Sequence, residues 1–144
     1  MAKLPIHWIE VRTYRHPTED EGRVEKALSF VAPEGETVRE VLQGHFGNDL
    51  TRLARRIEDS KSIQSVWDRW HAAGLPEGIA REVDARVDDD GVLHFRLDKQ
   101  AAFEERWELA KDPDTIDVRV KVVAYPAKPE QARRVARAIL EGAV

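Results

Sequence analysis

The chain alternates between segments with a two-residue hydrophobic period and segments with a helical period. Its clearest alternation follows Asp88-Asp89-Asp90-Gly91, a sequence that favours a hairpin turn. One face of this strand presents Leu93, Phe95 and Leu97, and the other face presents Val92, His94 and Arg96. A second long alternation predicts a strand from Thr115 to Tyr125. Its buried side is apolar: Ile116, Val118, Val120, Val122 and Ala124.

Three further strands are predicted, at Ile6 to Tyr14, Thr37 to Leu42 and Leu50 to Glu58. The last of these is ambiguous, because its apolar residues fit a helix as well as a strand whose apolar face Arg55 interrupts. We favour the strand.

Helical periods lie between the strands. Thr18 and Glu21 have the spacing of a capping box, which would open a helix over the apolar residues Val24, Ala27, Leu28 and Val31. Asp59 or Ser60 would cap a helix that buries Ile63, Val66, Trp67 and Trp70. A short helix is predicted near Glu77 to Ala85. Asp98 would cap another, which packs through Phe103 and Trp107. A last helix begins at Pro129.

Strands with one apolar and one polar face predict an α+β fold, a mainly antiparallel sheet with helices packed on one face. A length of 144 residues predicts a single domain, 1–144. The open face of the sheet would mix cations with aromatic rings: Arg12, His94, Arg96, Arg119 and Lys121 beside Trp8, Tyr14 and Tyr125.

Composition limits the chemistry. The chain has no cysteine, which excludes disulfides and thiolate ligands, and its five histidines are scattered, so we expect neither a metal nor another cofactor. No signal peptide or membrane-spanning run is recognised, which predicts a cytoplasmic protein. The net charge of -4 hides an asymmetry, because residues 77 to 117 hold 13 acids against 6 bases. A local basic patch elsewhere could therefore still hold a phosphate.

An open sheet face with cations and aromatic rings suits irregular or single-stranded RNA, although solvated sheet faces often look alike. The segment Gly44-His45-Phe46-Gly47-Asn48 fits a loop that clamps a nucleotide, and it fits equally a hairpin corner with Phe46 in the core. Arg96 precedes the Asp98 cap, and Lys99 and Gln100 follow it. This arrangement fits a phosphate site, and it fits equally an ordinary helix cap with surface residues beside it. His16 with Glu19, Asp20 and Glu21 is better explained by helix capping than by a metal.

These junctions resemble the archaeal RNA-binding family described as predicted exosome subunits, whose fold is similar to ribosomal protein L-five. Four motifs carry the resemblance, in the family's order: His16-Pro17-Thr18-Glu19-Asp20-Glu21, Gly44-His45-Phe46-Gly47-Asn48, Leu97-Asp98-Lys99-Gln100-Ala101-Ala102, and Val118-Arg119-Val120-Lys121 followed by Tyr125-Pro126-Ala127. Gln43 and Asp49 depart from the family pattern, which has an acid and a proline there. The resemblance implies an α+β sandwich, a strand at residues 50–58 and an RNA-related role in archaea.

The sequence therefore predicts a non-catalytic RNA-binding protein, with exosome or ribosome-associated proteins as further partners and with open sheet edges that would allow a homodimer. The predicted RNA contacts are Arg12, His16, His45, Phe46, Asn48, Arg96, Lys99, Gln100, Arg119 and Lys121. Two alternatives stay open. One is an enzyme acting on a phosphorylated small molecule, with His16 or His45 as acid-base. The other is a protein-interaction subunit whose acidic half docks a basic partner.

Overall fold

The computed structural model of the protein describes residues 3–43, 49–111 and 113–142. Five strands form one antiparallel sheet in the order β2-β3-β1-β5-β4. The strands are β1 Ile6–Arg15, β2 Thr37–Gln43, β3 Asp49–Ile57, β4 Val92–Asp98 and β5 Thr115–Val122. The helices are α1 Glu21–Val31, α2 Ser60–Ala72, α3 Leu75–Ala80, α4 Val83–Arg86, α5 Lys99–Phe103 and α6 Pro129–Leu140. The predicted α+β class is confirmed.

The chain divides into two compact units. The first unit comprises Met1–Ile9, Ile57–Phe95 and Arg119–Val144, and the second comprises Glu10–Arg56 and Arg96–Val118. In the first unit, α3 packs against α2 and α6, and α6 also packs against α4. The predicted stripe of α2 is buried, and the Trp70 ring meets the rings of Trp67 and Phe95 at centroid distances of 5.7 and 5.6 Å. Such edge-on aromatic contacts add to the stabilisation from apolar burial.

In the second unit, α1 packs against α5 and buries its predicted apolar residues Val24, Ala27, Leu28 and Val31. The ambiguous segment is a strand, as predicted, and pairs antiparallel with β2, with Leu53 opposite Arg39. Arg55 does occupy the buried face of this strand, at 7% exposure. Its guanidinium donates to the Ala32 carbonyl and to the hydroxyls of Ser29 and Thr37, which satisfies the polar group inside the core.

The predicted capping box at Thr18 is wrong. The N-cap of α1 is Asp20, whose carboxylate accepts from the Gly22 amide at 3.2 Å. Glu21 lies inside the first turn, and its carboxylate accepts from Arg39 Nε at 2.9 Å. Asp20 takes the cap because its extended backbone lies one residue before the first helical residue, where a carboxylate also complements the helix dipole.

Other boundaries also differ. The helix capped by Asp98 ends at Phe103, because Glu105 adopts a left-handed φ of 61° and the chain turns back before Trp107. The single helix predicted near 77–85 is two short helices, α3 and α4. The strand β5 ends at Val122, short of the predicted Tyr125. Among the described helices, none combines the length and the apolar character that crossing a membrane requires.

Candidate nucleic-acid interface

Two of the predicted RNA contacts meet at one carboxylate. Arg96 Nε lies 3.4 Å from Asp117 Oδ1, and Arg12 Nε lies 4.0 Å from Asp117 Oδ2. The Arg12 Nε is itself buried without a hydrogen-bond partner, so this second contact is one of charge rather than of hydrogen bonding. Arg96 is the more available of the two cations, because its side chain is 70% exposed.

Strand alternation places these residues on the side opposite the core. Phe95 and Leu97 flank Arg96 in β4 and are buried, while Val11 and Thr13 flank Arg12 in β1 and are buried too. In β5 the buried set is Ile116, Val118, Val120 and Val122, and the residues between them are only half-buried. Burial therefore confirms the predicted core side of β4 and β5, except that Val92, predicted on the polar side, is buried and Ala124, predicted on the core side, is half-buried beyond the end of β5.

A cavity of about 280 Å³ lies beside Arg96 and Asp117 in the second unit. Tyr14, Leu50 and Thr115 contribute to its lining together with His16 and Asp114. His16 Nε2 lies 3.6 Å from Asp114 Oδ1, and both side chains are half exposed. The cavity thus offers an aromatic ring, a histidine and an arginine, with two carboxylates that offset the positive charge.

Lys99 occupies a different environment from the one that a phosphate contact needs. Its side chain is only 6% exposed, and its Nζ donates to the Tyr14 carbonyl and to Glu19 Oε1, both at 2.9 Å. Asp114 Oδ1 lies 2.8 Å from the same ammonium. Three oxygen partners satisfy the three donors of an ammonium group. The geometry therefore favours a structural role for Lys99.

His16 and the two carboxylates that contact Lys99 also have the separations of a metal site. His16, Glu19 and Asp114 offer ligand atoms that lie within 4.8 Å of one another. However, the Lys99 ammonium lies at hydrogen-bond distance from both carboxylates. The two carboxylates are therefore accounted for as partners of a buried lysine, and His16 lies beside Asp114.

The remaining predicted contacts have other partners. Gln100 donates to Glu104 Oε1 at 3.1 Å on the exposed side of α5. In the first unit, the Arg119 guanidinium carbon lies 5.9 Å from the centre of the Trp8 ring, and Lys121 donates to the Asp90 carbonyl. His45, Phe46 and Asn48 lie outside the described residues, so the predicted nucleotide clamp stays a prediction.

Sequence reasoning missed Asp114 and undervalued Asp117. Alternation already placed Asp117 beside Arg119 on the polar side of its strand, but that pattern says nothing about which residues of neighbouring strands face it. Asp114 lies just before β5, where no period exists to interpret. If the neighbouring strands had been aligned with one another, opposite charges on adjacent strands would have indicated these pairs.

A family model described as RNA binding matches residues 8–122 of the chain. This range includes β2 to β5, all of β1 except its first two residues, and the residues around Asp117 and Lys99. The chain belongs to this RNA-binding family. An RNA-binding protein of Pyrococcus abyssi is 31% identical to it over 150 residues, a match that covers 98% of this chain and 97% of the relative.

Solved structures of the family share the fold. A protein of Archaeoglobus fulgidus in the DUF54 family superposes with a TM-score of 0.85 at 32% identity, over 93% of this chain and 99% of the other. A DUF54 protein of Methanothermobacter thermautotrophicus superposes with a TM-score of 0.82 at 36% identity, over 94% of this chain and 98% of the other. The match over nearly the whole length of both proteins means that their five-stranded framework is common to the three chains.

Proposed function

We propose that this member of the RNA-binding family is non-catalytic and holds RNA phosphates with cations on the polar side of its sheet. The proposed contacts are Arg12, His16 and Arg96 in the second unit, Arg119 and Lys121 in the first, and His45, Phe46 and Asn48 for bases. Arg96 carries the proposal, because its guanidinium is 70% exposed and is held in place by Asp117.

Local charge matters more than the sum for such binding. The chain has a net charge of -4, so no general attraction draws it to nucleic acid. A phosphate that reaches Arg96 must compete with the Asp117 carboxylate for the same guanidinium. Arg96 has five N–H donors, however, and a single contact through Nε leaves the others for a phosphate. We leave Lys99 out of the proposed contacts, because its ammonium already has three oxygen partners.

The proposed setting is archaeal RNA processing in the cytoplasm, with exosome or ribosome-associated proteins as partners, as the resemblance to the L-five-like family implies. A homodimer through a sheet edge is part of the proposal. The edge strand β2 supports it, because Val38 and Val41 are well exposed there. An unpaired strand edge with exposed apolar residues is suited to pairing with another chain.

The enzyme alternative is less well supported. It needs Lys99 to clamp a phosphate while His16 transfers a proton. Lys99 is instead buried under Glu19 and Asp114, and His16 lies at the exposed rim of that cluster. We therefore favour binding without catalysis.

The test compares Arg96→Ala with Arg39→Ala. Both arginines are exposed and pair with a carboxylate in the second unit, but Arg39 contacts Glu21 of α1 rather than the strands around Asp117. We expect Arg96→Ala to weaken binding of single-stranded RNA and to reduce the salt slope by about 0.7, because one fewer counterion is released. Arg39→Ala should bind as the parent does.

The substitution Asp117→Asn provides a test with the opposite sign. It removes the carboxylate that competes for Arg12 and Arg96. RNA affinity should rise, since two guanidinium groups lose their internal partner and keep their charge. Unchanged RNA binding by folded Arg96→Ala and Asp117→Asn proteins would rule out this surface.

A further inference from the structure

A second surface, in the first unit, carries features of a nucleotide site that no comparison assigns. A cavity of about 350 Å³ lies among the end of β5, the segment that follows it, the turn at Asp89 to Gly91 and the start of α6. Its volume lies within the range of small-ligand pockets. Tyr125 lines it, and this ring is 80% exposed, more than Val38 or Val41, the other large apolar side chains on the described surface.

Two lysines and a histidine line the same cavity as this ring. They are His7, Lys121 and Lys128. The Lys121 ammonium is anchored by the Asp90 carbonyl, which leaves two of its three donors for another oxygen. Lys128 is exposed at the start of α6 and forms no ion pair with any residue of the described chain. An exposed aromatic ring flanked by cations is the arrangement that single-stranded nucleic acid binding uses.

The wider charge pattern points the same way. Residues 119 to 137 hold six basic side chains and one acid, Glu130, within a chain whose overall charge is -4. Four of the six lie on or just before α6: Lys128, Arg133, Arg134 and Arg137. Arg133 and Arg137 are offset by Asp89 and Asp84, at 3.9 and 2.9 Å. Of these four residues, Lys128 and Arg134 are therefore the ones that form no ion pair with a described residue.

Two acids limit where a phosphate could lie. Asp89 and Asp90 form part of the lining beside Gly91, and Asp89 is close to Arg133. The carboxylates of Asp89 and Asp90 repel a phosphate, whereas the Lys128 ammonium attracts one. The apolar lining between them, with Val123, Ala124 and Ala132, suits the flat face of a base rather than a charged group.

We infer that Tyr125 stacks on one unpaired RNA base, while Lys128 holds the adjoining phosphate. This inference rests on the proposed RNA-binding function and extends it to a specific class of ligand, unpaired nucleotides. The bases of a duplex are stacked inside it, so a perfect duplex cannot use the ring. A single strand or a loop can.

The experiment measures the affinity of the full chain for a uridine 12-mer and for a perfect RNA duplex, each at several salt concentrations. Tyr125→Ala should lower affinity for the single strand by about 5- to 150-fold, the effect of losing one stacked base. The salt slope and the duplex affinity should not change, because no charge is removed. Tyr125→Phe, which keeps the ring, should bind nearly as the parent does.

Two further variants sharpen the test. Lys128→Ala should lower the single-strand salt slope by about 0.7, since it removes a phosphate contact instead of a stacking surface. Ser65→Ala is the control for Tyr125→Ala, because it trims an exposed, uncharged side chain of the same unit that does not line the cavity, and it should change neither affinity. Thermal unfolding of each variant checks that the fold is retained.

The outcomes separate this inference from the proposed function. If the parent binds RNA and Tyr125→Ala binds the single strand equally well, Tyr125 is not a stacking platform and its exposure points to a protein contact. If Tyr125→Ala loses affinity for the duplex and the single strand alike, stacking on an unpaired base is also overturned. If the parent binds neither RNA, the proposed function itself fails, and this inference fails with it.

Discussion

The Lys99 ammonium lies 2.9 Å from Glu19 Oε1, although the two residues are 80 positions apart in the chain. The same ammonium donates to the Tyr14 carbonyl, and Asp114 completes its shell. One lysine at the start of α5 thereby connects the end of β1, the loop before α1 and the segment before β5. These three oxygen partners satisfy the donors of the ammonium group.

Replacing this ammonium should therefore affect stability rather than RNA binding. Lys99→Met keeps the length of the side chain but removes the donors, and we expect a loss of about 2 kcal/mol in unfolding free energy. Denaturant titration measures it, with Lys111→Met at an exposed position as the control. RNA affinity per folded molecule should equal that of the parent. A stable Lys99→Met protein with weakened RNA binding would return Lys99 to the contact set.

The cap of α1 provides a matched pair of substitutions. Asp20→Ala should lower the unfolding free energy by about 1 kcal/mol, because the Gly22 amide loses its acceptor and the helix dipole loses a nearby negative charge. Thr18→Ala should change it by less than about 0.5 kcal/mol, as expected for an exposed residue outside such a feature. Urea unfolding of both proteins decides between them. A larger effect at Thr18 would restore the capping box that the sequence suggested.

Arg55 should not tolerate replacement by lysine. Its planar group donates to three separate oxygens, on Ser29, Ala32 and Thr37, with the Glu25 carboxylate 3.5 Å away. A lysine ammonium cannot reproduce this fork, so we expect Arg55→Lys to cost about 2 kcal/mol or more. The control is Arg52→Lys in the same strand, where the arginine pairs with Glu40 at the surface. Equal stability of the two variants would mean that the buried network contributes little.

The turn before β4 should make stability depend on acidic pH. Burial raises the pKa of the Asp88 carboxyl, but hydrogen bonds with His94 and from the Val92 and Asp90 amides outweigh it, so the pKa lies below 3.8. A lowered folded-state pKa means that ionised Asp88 stabilises the fold above pH 3.8 and that this contribution is lost as the pH falls further.

Comparison with Asp88→Asn measures this effect. The stability difference between the parent and Asp88→Asn should be constant near neutral pH and should shrink between about pH 5 and pH 2. Asp89→Asn is the control for removing one negative charge, because that carboxyl is 91% exposed. A difference between the parent and Asp88→Asn that stays the same down to pH 2 would contradict the assigned pKa direction.

The sequence by itself determined the elements and their buried sides. Alternation identified the buried apolar faces of β4 and β5, and the helical stripe of α2 identified Trp67 and Trp70 as core residues. Burial on one side of an element places apolar residues at regular intervals along the chain, which the sequence shows directly. The local residues also identified the cap at Asp98 and limited the cap of α2 to Asp59 or Ser60, of which Asp59 is the one observed. The motifs at the junctions indicated the RNA-binding family, to which the chain belongs.

Only the tertiary structure decided what the charged residues do. Lys99, Arg96 and Arg12 look alike in sequence as cations near strand ends or on polar faces, yet Lys99 is buried against Glu19 while Arg96 projects beside Asp117. Their partners lie between 15 and 105 positions away along the chain. Exposure and pairing depend on which strands become neighbours, and that order, β2-β3-β1-β5-β4, has no periodic trace in the sequence.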